Sequence, residues 1–130
     1  AARDVWDVLV RVRISAPRHN HNMTYNKDRW FQFSVMEQMG NIGSDVRRAI
    51  LFKNKGNLEY SKLAFESASE LFNLTLSDPR WLKMPHRLKE IRIAKEIVYD
   101  FLFGKNQYNE TSERLMKYFD EFALAARKDK

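Results

Sequence analysis

The chain has 130 residues, of which 44% are apolar and 13% aromatic, and it has no cysteine. That length sustains one domain with its own core, and the composition excludes a disordered polyelectrolyte, disulfides, thiolate chemistry and cysteine-based zinc sites. Twenty-three Lys and Arg oppose 17 Asp and Glu, a formal net charge of +6, so an anionic partner is favoured.

The first 22 residues differ from the remainder. Val8, Val10, Val12 and Ile14 alternate with Leu9, Arg11 and Arg13, a period of two that suits a strand or an extended arm. Asp4, Asp7, Arg11 and Arg13 interrupt what would be the apolar segment of a signal peptide. Ser15-Ala16-Pro17 and His19-Asn20-His21-Asn22 read as a loop. Residues 1–22 are therefore taken as a non-helical extension or leader, and residues 23–130 as the folded domain. No apolar run approaches the roughly 18 residues that cross a bilayer, so a cytoplasmic protein without membrane contact is expected.

From Asn26 the period becomes helical. Asn26 is a fair N-cap, and Phe31, Val35, Met39, Ile42, Val46 and Ile50 recur at steps of three or four, which predicts one helix to about Lys53. Gly40 and Gly43 lie within it at a cost of about 1 kcal/mol each, which marks a close helix crossing. Lys55-Gly56-Asn57 reads as a stop followed by a new cap. A second helix is expected from Leu58 to about Leu76, with Phe65, Ala68, Leu71, Phe72 and Thr75 inward, ended by Asp78-Pro79. A third runs from His86 or Arg87 to Phe103, with Gly104 after it. Thr111 or Ser112 caps a fourth, carrying Leu115, Phe119, Phe122 and Ala126. Four helices on short connections predict an all-α, antiparallel up-down four-helix bundle.

The charge is concentrated. Arg80, Lys83, Arg87, Lys89, Arg92 and Lys95 stand against a single acid, Glu90, between residues 80 and 95. On a helical wheel Ile91, Ile93, Ala94, Ile97, Val98, Phe101 and Leu102 occupy the inward half of the third helix. Lys89, Arg92 and Lys95 lie opposite, interleaved with Leu88, Tyr99 and Phe103 and diluted by Glu96. Long cations on one ridge beside aromatic rings suit a phosphate backbone. The competing account is a solvated face whose cations pair with acids a turn away, as Arg92 can with Glu96. Arg47 and Arg48 extend the ridge if the first helix packs alongside.

Little in the chain requests catalysis. The glycine-rich phosphate loop, the G-x-S-x-G elbow and H-E-x-x-H are all missing, as are the Glu-x-x-His pairs of a di-iron bundle. His19 and His21 have no carboxylate nearby, which makes a weak metal site; no metal and no cofactor are expected. Arg80 followed by His86 resembles the Arg…His signature of HEPN-type RNases, which implies RNA cleavage by that pair. Trp81 directly after Arg80, and Pro79 and Pro85 around the pair, depart from that pattern.

The order Asn41-Ile42-Gly43-Ser44-Asp45-Val46-Arg47-Arg48, then Glu59-Tyr60, then Ala64-Phe65-Glu66-Ser67-Ala68, resembles small bacterial four-helix proteins of the 23S ribosomal RNA intervening-sequence type. The accessory variability proteins of diversity-generating retroelements are similar in fold. The resemblance covers about residues 41–75. It implies a basic helical protein, Arg47 and Arg48 as anion contacts, a homo-oligomer, and a polymerase such as a reverse transcriptase as partner. The expected function is thus a non-enzymatic nucleic-acid-binding accessory protein, for RNA or DNA, acting through Arg47, Arg48, Arg80, Lys83, Arg87, Lys89, Arg92 and Lys95. Two alternatives stand beside it. One is a protein-interaction module anchored by Trp30, Trp81, Tyr99 and Phe103; the other is the HEPN-like RNase.

Overall fold

The computed structural model describes residues 26–128, and the elements among them are all helical. They are α1 (Lys27–Trp30), α2 (Val35–Asn54), α3 (Leu58–Leu76), the 3-10 helix η1 (Pro79–Lys83), α4 (Pro85–Phe103) and α5 (Ser112–Lys128). The expected extension over residues 1–22, with its alternating valines and its two histidines, lies outside the described residues. Among those described, no helix is long and apolar enough to cross a membrane.

The first expected helix is in fact two. Apolar periodicity runs unbroken from Phe31 through Val35 and Met39, but Ser34 stops the chain and restarts it. Its backbone is extended and its Oγ accepts from the Glu37 N–H at 3.1 Å, while Glu37 Oε1 accepts from the Ser34 N–H at 3.0 Å. This reciprocal box satisfies two donors that a continuous helix would have bonded internally. The break turns Trp30 inward, where its indole N–H donates to Thr75 Oγ1 at 2.9 Å. Trp81 is likewise fully enclosed. Both tryptophans belong to the core, which corrects their reading as exposed anchors.

The Lys55–Asn57 connection forms as its residues dictate. Gly56 takes φ +80°, and Asn57 caps α3 by accepting from the Tyr60 N–H. Ser61 and Ser67 on α3 then bond back to the Ala49 carbonyl and to Asp45, so α3 runs opposite to α2. α2 is the central element, packed along both α3 and α5. Met39, Ile42, Val46 and Ile50 join Leu71, Phe72, Ile91, Val98, Phe119 and Phe122 in one apolar cluster. α4 returns along α3, with Lys95 reaching Asn73 and the Tyr99 and Phe103 rings packed on Phe65.

The crossing of α2 and α5 is close because Gly43 has no side chain. A Cβ placed there would stand 2.5 Å from Phe119 Cβ, well inside contact distance. Gly43→Ala gains helix propensity but must displace the Phe119 backbone or ring. A loss of about 1–3 kcal/mol is expected, read as a lower denaturation midpoint in urea with an unchanged slope.

Candidate nucleic-acid interface

The basic residues singled out by the sequence divide into those held by internal partners and those left to solvent. Arg80 belongs to the first group. Asp78, only 3% exposed, accepts from the Arg80 N–H and so starts η1. The Arg80 guanidinium folds back onto the same carboxylate at 2.6 Å and donates to the carbonyls of Phe31 and Phe33. Gln38 completes the arrangement by donating to Asp78 Oδ2 and to the Trp30 carbonyl. Burial pushes the Asp78 carboxyl up, but the hydrogen bonds from Arg80 and Gln38 together outweigh it and hold the pKa below its usual value. The same bond, against burial, raises the pKa of Arg80. The η1 segment fills the interval between the second and third expected helices, and the Asp78 cap on the Arg80 N–H begins it.

Three other cations face carboxylates, and a fourth meets an amide. Arg47 Nη2 donates to both carboxylate oxygens of Asp120, at 2.9 and 3.0 Å, joining α2 to α5. Arg48 lies 3.5 Å from Asp45 and over the Phe52 ring. Arg87 meets Glu90 at 3.0 Å with its guanidinium 5.5 Å from the Phe122 ring. Lys95 donates to a neutral partner, Asn73 Oδ1, at 2.8 Å. Lys83, Lys89 and Arg92 are exposed and form no ion pair among the described residues. The Arg92–Glu96 pair that a solvated face would use does not form.

The start of α4 adds to this field. Met84 offers no side-chain cap, and the first turn of α4 contains no acid. The helix therefore begins with unsatisfied N–H groups and the positive end of its dipole among Lys83, His86, Arg87 and Lys89. Such an arrangement is unfavourable for the helix alone and favourable for a bound anion.

Sequence reasoning missed the other side of α4. Ile93 and Ile97 share the inward arc of the wheel, yet Ile93 is 39% exposed because α4 and α5 do not close on one another. A groove of about 380 Å³ separates them, floored by Ala94, Val98, Leu115 and Phe119 and bordered by His86 and Lys89. It is bridged by the Tyr118 hydroxyl, which donates to Glu90 Oε2 at 2.8 Å. Burial raises the Tyr118 pKa far above the usual phenol range, and the Glu90 hydrogen bond and charge add to it, against a smaller opposing effect of Arg87. His86 thus opens on this groove while Arg80 is engaged in the clasp, and the two serve different surroundings. Among the described residues, no group of three or more His, Asp or Glu is placed to hold a metal ion.

The chain matches no protein-family model, and neither the curated proteins nor the solved structures include one that it matches.

Two titrations follow from these geometries. Because the folded pKa of Asp78 is lowered, its contribution to stability is complete above the unfolded carboxylate value. It is lost as pH falls through the folded one, below about pH 4. Asp78→Asn should remove that part of the acid dependence and lower neutral-pH stability by about 2 kcal/mol, both measured by denaturant unfolding at stepped pH. Tyr118 behaves in the opposite sense. Its folded pKa is raised, so its contribution is complete below about pH 10 and is lost as pH climbs through the folded value. Ultraviolet titration of phenolate should show a late-ionising phase that disappears in Tyr118→Phe and moves to lower pH in Glu90→Gln.

Proposed function

We propose that the chain is a non-enzymatic nucleic-acid-binding accessory protein built as an antiparallel up-down helical bundle, which grips a phosphate backbone with the N-terminal half of α4. The reversed contacts of α2 with α3 and of α3 with α4 support the topology, with the α4–α5 side standing open. The observation that carries the functional reading is the set Lys83, Lys89 and Arg92: three cations without an acidic partner beside a helix start that lacks both cap and acid. Long cations in that setting neutralise phosphates and release counterions, which gives affinity without sequence preference. Lys95 adds charge at the flank. Arg47, Arg48, Arg80 and Arg87 contribute to the field while holding the fold together, so reversing them tests stability before binding. The resemblance of residues 41–75 to intervening-sequence-type proteins is in keeping with this reading, and a polymerase partner is its further implication.

A filter-binding titration with single-stranded RNA and DNA across a salt series tests the proposal. Affinity should fall steeply and linearly on a log–log scale, with a slope near −0.7 for each phosphate neutralised. Lys83→Glu with Lys89→Glu should weaken binding about a hundredfold at low salt and flatten the slope by about two phosphates' worth, with helicity unchanged by circular dichroism. Binding that is absent at low salt, or indifferent to this pair, rejects the proposal.

A further inference from the structure

The outward face of α4 changes character along its length. Lys89 and Arg92 lie towards its N-terminal end. One turn beyond Arg92 stands Glu96, followed by Tyr99 and Phe103. There the rings of Phe65, Tyr99 and Phe103 form a mutual cluster with centroids 5.5–5.7 Å apart, and Tyr99 is 55% exposed. Glu66 and Glu70 of α3 line the same groove, a space of about 540 Å³. Glu66, Glu70 and Glu96 form no ion pair among the described residues, and neither do Lys89 and Arg92. One end of the face thus offers cations without acids, and the other offers acids and an aromatic surface whose cations are Lys62 at its edge and Lys95, which is held by Asn73 on α3.

We infer that this face is self-complementary and that its occupant is a second copy of the chain, related by a two-fold axis across α4 near residue 94. Two α4 helices laid antiparallel about that level set Arg92 against Glu96 of the second copy, and the reverse, so the pair forms twice. The same register places Lys89 over Tyr99 of the second copy and near its Glu66 and Glu70, where an ammonium is attracted by both ring and carboxylates. Lys89 and Tyr99 are about 15 Å apart along one helix, so four contacts are spread over a continuous strip rather than one point. Parallel pairing would set Lys89 against Lys89 and Glu96 against Glu96, so only the antiparallel arrangement is attractive. An isologous contact of this kind closes on itself and ends at a dimer. This inference stands apart from nucleic-acid binding and is tested on protein alone; a phosphate backbone and a second copy would compete for Lys89 and Arg92.

Sedimentation of the full chain over a concentration series reads it directly. A reversible monomer–dimer equilibrium is expected. Arg92→Glu and Glu96→Arg should each weaken it by about tenfold or more, since every single reversal sets like charges together twice. The double swap, Arg92→Glu with Glu96→Arg in one chain, should restore it. A chain that stays monomeric throughout, or that assembles beyond a dimer, overturns the inference. So do single reversals that leave the dimer intact, and a swap that fails to rescue. Unchanged helicity in each variant separates lost association from lost folding.

Discussion

One buried carboxylate sets the position of much of this structure. Asp78 starts η1 through the Arg80 N–H, holds the Arg80 side chain, and receives Gln38 from the start of α2. Arg80 in turn takes the carbonyls exposed where α1 stops and α2 has not yet begun. A charge this enclosed is tolerable only when several donors converge on it, and here they come from Arg80 in η1 and from Gln38 in α2. The consequence is geometric. The clasp fixes where α3 ends and α4 begins, and with that it fixes which way the α4 ridge faces.

The electrostatics of the molecule follow from how its arginines and lysines are divided. The arginines of α2 and η1 sit within reach of carboxylates, and Arg47 ties α2 to α5 through Asp120 while Arg48 meets Asp45 within α2. Planar guanidinium groups suit that work, whereas ammonium groups on long stems remain hydrated. The basic ridge is therefore carried by fewer groups than the sequence count suggests, Lys83 at the end of η1 and Lys89 and Arg92 on α4. The other flank of α4 faces an apolar groove in place of a packed neighbour, so α4 presents two chemically distinct sides to solvent.

The helical class, the α3 boundaries and the inward set of α5 were legible because periodicity and caps agree there: Asn57 at one start, Thr111 before another, and apolar residues at every third or fourth place. The break at Ser34 was also written in the sequence, as a Ser followed three residues later by Glu, but the apolar spacing across it argued for continuity. Trp81 illustrates a different limit. Its neighbours Arg80, Leu82 and Lys83 are all exposed, and only the winding of η1 turns the indole inward. Ile93 errs the other way, since a wheel assumes that the apolar half of a helix meets a partner. Whether two helices close is a tertiary matter. For the basic ridge, the sequence supplied the residues, while the structure separated those that bind the fold from those that do not.

The weak attachment of α4 bears on motion as much as on recognition. It buries only Ile91, Ala94, Val98 and Leu102, whereas α2 buries ten residues, and it starts without a cap. Local opening free energy tracks such differences in burial and end protection. By both measures α4 is held less firmly than α2. The first-turn amides of α4 form the soft edge of an otherwise cooperative body. A ligand that orders this edge draws on the internal freedom of the chain as well as on its charge, so occupancy of α4 and rigidity of the whole are thermodynamically linked.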